Sequence, residues 1–169
     1  MKLLVSVADA REARVAVQAG VDIVDVKNPA EGSLGAPAPG VIARVRDTVP
    51  PERPVSAAIG DLPNLPGTAA LAALGAARSG AAYVKVGLWG TSTEEEAVAV
   101  LRAVREALDG DATVIAAAYA DADRVPSRPL PPGAVVAAAR RAQAGGCLVD
   151  PAALTTLLER GSAAGTVVL

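Results

Sequence analysis

Short runs rich in Val and Ile alternate with Ala-rich runs of helical spacing along the chain, and this alternation leaves few folds open. Leu3 to Val7 reads as a first strand. Asp9 then caps a helix in which Ala10, Ala13, Ala16 and Val17 share a face until Gly20 stops it. Further strands are expected at Ile23 to Asn28, Val55 to Gly60, Tyr83 to Leu88, Thr113 to Tyr119 and Gly146 to Asp150. Helices are expected at Val41 to Val49, at Thr68 to Ser79, from the Thr91-Ser92-Thr93 caps to Leu108, and from Gly133 to Ala144. Pro151 opens another helix to Arg160, and Thr166 to Leu169 reads as the start of a seventh strand. The Gly- and Pro-rich stretches Pro29 to Pro39, Asp61 to Gly67 and Ala120 to Pro132 read as loops. Each strand and its helix take roughly thirty residues or fewer, the length of a βαβ unit, so a parallel sheet with right-handed crossovers is expected.

The choice between an open sheet and a barrel turns on glycine. An open doubly wound sheet that binds a dinucleotide carries a Gly-rich first loop, whereas here the first strand runs into Val7-Ala8-Asp9-Ala10. No Gly-x-Gly-x-x-Gly or Walker pattern follows any other strand, and no cofactor is expected. The expected fold is therefore an α/β, TIM-type (β/α)8 barrel of which about six and a half strand-helix units are visible, with residues 1–169 in a single domain. A composition that is 51% hydrophobic but 2% aromatic, with no Phe, fits this fold, because Ala and Val allow helices to lie close on a sheet.

Charge and residue usage narrow the chemistry. A net charge of −2 with scattered signs, and a pI of about 5.2, argue against a nucleic-acid or anionic-membrane surface. No signal-like segment or membrane-length apolar run is present, and a cytoplasmic location is expected. A single cysteine, Cys147, forms no internal disulfide, and the absence of histidine excludes a Ser-His-Asp triad and a Cys/His metal site. Acid-base chemistry must use Lys, Asp, Glu or Tyr.

Lysine is scarce, with three against thirteen arginines, and two of the three stand in strands. In Ile23-Val24-Asp25-Val26-Lys27 strict alternation puts the valines on one face and Asp25 and Lys27 on the other. Tyr83-Val84-Lys85-Val86 repeats the pattern. Lysine, unlike arginine, can lose its proton near neutral pH and attack a carbonyl or act as a base. In a barrel, alternate strands share an interior layer, so strands two, four and six bring Lys27, Lys85 and Asp150 to one mouth. Lys85 would be the neighbouring cation that disfavours a charge on Lys27, and Asp25 would shuttle protons during imine formation. The competing reading has each lysine end its strand and stretch its head to solvent. Asp61, Tyr119, Asp121 and Asp123 are weaker candidates, since loop acids are commonly solvated. Cys147 reads as core, Trp89 as a loop-packing residue or a ligand cover, and Ser33-Leu34-Gly35 as a phosphate loop or a plain turn.

The segments VDIVDVKNPAEGSLGA from Val21 and GAAYVKVGLWG from Gly80 resemble the family of (5-formylfuran-3-yl)methyl phosphate synthase, also called 4-(hydroxymethyl)-2-furancarboxaldehyde-phosphate synthase. The segments LLVSV, SAAIGDLPNLPGT and AAAYADADRV are similar to the same family, so the likeness reaches Asp150. The resemblance implies an α/β barrel that joins two molecules of glyceraldehyde 3-phosphate into a phosphorylated furan aldehyde, with loss of phosphate and water, on the methanofuran pathway. It implies imine formation by Lys27, proton acceptance by Lys85 and assistance from Asp25. Members of the family carry a loop with a further lysine after the sixth strand, whereas here Asp150 runs directly into Pro151. A loop missing at that join, and more chain after Leu169, are expected on loop-length grounds. Two other readings fit the residues: another imine-forming aldolase acting on a different aldehyde phosphate, and a truncated barrel serving as a binding or assembly module. Self-association along an open sheet edge is compatible with all of them.

Overall fold

The computed structural model of the chain describes residues 2–150. Its strands are β1 (Leu4–Val7), β2 (Ile23–Val26), β3 (Val55–Pro63), β4 (Tyr83–Gly90), β5 (Thr113–Tyr119) and β6 (Gly146–Asp150). Its helices are α1 (Ala10–Gln18), α2 (Pro39–Thr48), α3 (Pro66–Arg78), α4 (Glu94–Leu108) and α5 (Pro132–Ala142). The expected helix after Pro151, the seventh strand and the join at Asp150 and Pro151 lie outside the described residues.

Every strand pairs in parallel with its predecessor, so spatial order equals chain order from β1 to β6. A doubly wound sheet would reverse direction at a switch point, and this one does not. Side chains therefore sort into two layers. Val24, Val26, Val84, Val86, Val114 and Ala116 face the helices and join their apolar stripes, such as Ala13 and Ala16 of α1 and Leu101, Val104 and Leu108 of α4. The opposite face carries a smaller cluster with Leu34, Ala58, Ala117, Tyr119 and Leu148.

The sheet is curled. Strands β2 and β6 would stand about 19 Å apart in a flat sheet, at four strand spacings of about 4.8 Å each. Yet Lys27 Nζ, just past β2, lies 3.8 Å from Asp150 Oδ2 at the end of β6, closer than those side chains could come across a flat sheet. The described residues thus form an α/β half-barrel of six strands, with helices outside and the smaller cluster within.

Local chemistry explains the helix starts. Asp9 accepts from the amides of Arg11 and Glu12, both at 2.8 Å, and Thr93 with Glu96 forms a capping box at α4. Helices α2, α3 and α5 begin on Pro39, Pro66 and Pro132, earlier than hydrophobic spacing suggests, because proline suits the first helical position, whose N–H has no intrahelical partner. On α3 the buried face is Ala69, Ala73 and Ala76, and Gly75 is not a close-packing position, since a Cβ there would meet nothing within 4 Å.

The larger departure concerns β3 and β4, which continue through the expected loop to Pro63 and Gly90. Pairing resumes past an irregularity at Asp61 opposite Gly87 and at Pro63 opposite Gly90. Gly60 takes a φ of +110° at this bulge, and a Cβ on Gly90 would lie 2.5 Å from Pro63 Cα, so glycine is what lets the two strands stay together. Strand β2 instead ends at Val26, because Asn28 caps a short 3-10 turn at Pro29–Glu31 by accepting from the Ala30 amide.

Candidate active site

Arginine and lysine divide their labour by depth. Arg46 ties the end of α2 to the next turn by donating to the carbonyls of Val49, Pro50 and Arg53 at 2.6, 2.7 and 2.8 Å. Exposed ion pairs such as Arg78–Asp111 and Arg141–Glu94 also use arginine. Lys27 and Lys85 are buried, at 6% and 1% exposed, which rules out the reading in which both heads reach solvent.

Each amine has its own carboxylate. Lys85 Nζ donates to Asp25 Oδ2 at 2.5 Å, and the Ser6 hydroxyl donates to the same oxygen at 2.8 Å. The lysine reaches from β4 across the intervening β3 because its register partner there is Ala58, whose methyl group leaves room for the stem. Lys27 stands 3.8 Å from Asp150 Oδ2, beyond hydrogen-bonding distance. The four groups balance as two formal positive and two formal negative charges, which is what permits their burial. They also form one electrostatic unit. Burial pushes the Asp150 carboxyl above its usual value of 3.8, Lys27 and then Lys85 oppose that rise, Asp25 adds to it, and a hydrogen bond from Ser33 opposes it.

The structure thus brings together Asp25, Lys27, Lys85 and Asp150, the residues selected from strand alternation. Lys85, expected as the neighbouring cation, is paired with Asp25 at contact distance. Lys85 also lies deeper than a residue at the strand ends, since β4 runs on to Gly90, and it lines a cavity of about 240 Å³ with Ser56, Tyr83, Ile115 and Leu148. Asp25 Oδ1 and Asp150 Oδ2 accept from no protein donor, so each carboxylate keeps an oxygen available to another partner.

Among the weaker candidates, Asp61 and Tyr119 meet. The Tyr119 hydroxyl donates to Asp61 Oδ1 at 2.5 Å, and burial followed by the Asp61 charge drives its ionisation far upward, so it stays a donor. Trp89 lies within β4, not in a loop, and packs edge-on against the Tyr119 ring at the end of β5, with centroids 5.3 Å apart. Asp123 is exposed and Asp121 half-buried. Cys147 is half-buried, packs on the main core, and burial raises its thiol, a setting that does not favour a nucleophile. Two amides of the Ser33–Gly35 turn face protein oxygens: Leu34 N faces Asp61 Oδ2 at 3.5 Å and Gly35 N donates to Gly32 O. Ser33 is a site residue that sequence reading missed in its present role. Only its place six residues after Lys27 pointed to it.

With this geometry in hand, comparison with known proteins is decisive. The family model for 4-HFC-P synthase matches residues 3–157. The chain belongs to the 4-HFC-P synthase family. Its (5-formylfuran-3-yl)methyl phosphate synthase relatives include that of Methanothermobacter thermautotrophicus, 56% identical over 74% of this chain and 54% of the relative. That of Methanopyrus kandleri is 50% identical over 89% of this chain and 64% of the relative. The chain therefore spans between half and two thirds of the length of these relatives. Among solved structures, 2,3-dimethylmalate lyase, a PEP mutase/isocitrate lyase superfamily member, aligns with a TM-score of 0.62 at 19% identity, over 88% of this chain and 57% of that one. A dihydrodipicolinate synthase aligns at 0.62 and 16%, over 85% and 54%. At such identities these structures speak for the fold alone. For this member of the 4-HFC-P synthase family, they agree with the half-barrel. Among the described residues no helix is long and apolar enough to cross a membrane.

Two measurements test the charge balance. Asp25→Asn leaves the buried Lys85 without a carboxylate and is expected to cost about 3–5 kcal/mol in denaturant unfolding, whereas Asp25→Asn with Lys85→Met recovers most of that loss. Equal losses in the single and double variants would show that the pair carries no such coupling. Asp150 acts through pH. Its folded value is raised, so its contribution to stability is fully present below 3.8 and is lost as pH rises through the folded value. The stability of Asp150→Asn relative to the parent should therefore climb as pH is raised from acid toward neutrality, and a difference independent of pH would contradict this.

Proposed function

We propose that this chain carries the imine-forming part of a (5-formylfuran-3-yl)methyl phosphate synthase, with Lys27 as nucleophile toward the carbonyl of glyceraldehyde 3-phosphate. One observation supports this above all: two lysines in a lysine-poor chain are buried on one concave face, each against its own carboxylate. The distances favour one of them. A nitrogen committed to an oxygen at 2.5 Å is less free to approach a carbonyl carbon than one held at 3.8 Å, and the freer nitrogen is that of Lys27.

The chemistry then follows a class I aldolase pattern. Lys27 passes a proton to Asp150 and adds to the aldehyde carbon as the free amine, and Asp150 returns that proton to the carbinolamine oxygen as it leaves as water. The resulting iminium draws electrons from the adjacent carbon, and Lys85 with Asp25 accepts the proton released there. The enamine attacks the aldehyde carbon of a second glyceraldehyde 3-phosphate, forming the carbon-carbon bond. Loss of one phosphate and two waters then gives the furan with no net oxidation or reduction. Burial raises the Asp150 carboxyl above its usual value, which favours a group that must both take and give a proton.

In this reading the six described strands are the first part of an eight-stranded barrel. Barrel phosphate sites are often built after strands seven and eight, so substrate phosphates would bind beyond the described residues. The enzyme works in the cytoplasm on a small phosphorylated aldehyde, without nucleic-acid or membrane partners. Further barrel units or further copies of the chain pair along the edges of β1 and β6, which have no neighbour among the described residues.

Borohydride reduction in the presence of glyceraldehyde 3-phosphate tests the proposal. A covalent adduct on the peptide carrying Lys27 is expected, lost in Lys27→Met and slowed in Lys85→Met. An adduct on Lys2, or none, would overturn it.

A further inference from the structure

The turn that follows Lys27 folds inward, although its Gly and Ser content would suit an exposed loop. Ser33 and Leu34 are 1% and 0% exposed. Three backbone contacts close the turn: Asn28 N donates to Gly35 O, Gly35 N to Gly32 O, and Gly60 N to Leu34 O. A fourth contact comes from a side chain. Asp61 Oδ2 accepts from Leu34 N at 3.5 Å while Oδ1 accepts from the Tyr119 hydroxyl at 2.5 Å, so one carboxylate spans the turn after β2 and the end of β5.

Two glycines make room for this bridge. A Cβ on Gly32 would lie 2.2 Å from Asp61 Oδ2, and a Cβ on Gly87 would lie 2.7 Å from the Tyr119 hydroxyl and 3.1 Å from Asp61 Oδ1. Tyr119 is in turn the register partner of Asp150, and Ala120 N donates to Asp150 O at 3.0 Å. The contacts run from Asp61 through Leu34 to Ser33, and from Ser33 to the carboxyl beside Lys27.

We propose that Asp61 is a positioning residue: by bridging Tyr119 and the Leu34 amide it holds Ser33 on Asp150, and so sets the proton affinity of the acid that serves Lys27. The inference rests on the preceding functional reading only where it calls Asp150 the acid serving Lys27; the positioning itself is independent of any substrate. The charged and polar groups that act on Asp150 are Lys27, Lys85, Asp25 and Ser33, while Tyr119 feels its charge from the neighbouring strand.

The two ways in which Asp61 could act on Asp150 have opposite signs. If Asp61 acted as a bare charge, Asp61→Asn would remove a negative neighbour and lower the Asp150 midpoint. Acting through Ser33, the same variant loosens the turn, releases the Ser33 hydrogen bond and raises it.

The experiment is a carboxyl 13C NMR titration of the chain with 13C-labelled aspartate, the Asp150 signal being assigned with Asp150→Asn. Ser33→Ala and Asp61→Asn should each raise the Asp150 midpoint by about one pH unit, the size of one hydrogen bond to a charged oxygen. The double variant should show no further rise, because both changes break one line of contacts. A lowered or unmoved midpoint in Asp61→Asn, or additive shifts, would overturn the proposal. Should Asp61→Asn fail to fold, Tyr119→Phe decides: a raised midpoint supports the bridge and an unmoved one removes it. Borohydride trapping on the parent chain separates the two claims. Absence of a Lys27 adduct would remove the imine reading while leaving the titration result intact.

Discussion

Two ammonium groups inside a sheet built from Val and Ala would be intolerable alone, and the inner face of this half-barrel is organised around that constraint. A buried charge must be matched within a few ångströms, so Lys85 takes Asp25 and Lys27 faces Asp150. Those matches span β2 to β4 and β2 to β6, and only a curled sheet can supply them. Curvature and charge balance are thus the same requirement viewed from backbone and from side chain. Ala58 on β3 and Gly87 on β4 are small where the lysine stem and the Tyr119–Asp61 pair need space.

The two ion pairs differ in a way that bears on reactivity. Lys85 is in close contact with a carboxylate that Ser6 also holds, whereas Lys27 has a looser partner whose own proton affinity is raised by burial. A tight pair suits a group that must stay in place, and a loose pair suits one that must change partners. This division assigns different tasks to two residues of the same type on neighbouring even strands. The family to which the chain belongs supplies the chemical context.

Much of this was legible in the residues. Alternation around Asp25 and Lys27 and around Lys85 placed these side chains on the face away from the helices, because a strand's period of two leaves no other choice once the valines are buried. The Asp9 and Thr93 caps could be read for the same local reason. The prolines that open α2, α3 and α5 were harder, since proline marks both loops and first helical positions. The extension of β3 and β4 past Gly60 and Leu88 depends on close backbone approach at Gly87 and Gly90, a pairwise fact that neither strand shows alone. The Lys85–Asp25 contact joins residues 60 apart in sequence and the Asp61–Tyr119 bridge residues 58 apart. No local pattern announces such pairs; only the curvature of the sheet does.

The central claim is that Lys27, Lys85, Asp25 and Asp150 behave as one coupled cluster, and the scarcity of lysine makes it directly observable. With three lysines in the chain, 15N labelling of lysine side chains yields three amine signals. As Asp150 titrates, the signals of Lys27 and Lys85 are predicted to move together with it, and that of Lys2 to stay fixed. In Asp150→Asn both movements should vanish. A Lys27 signal that follows Lys2 and ignores Asp150 would contradict the account.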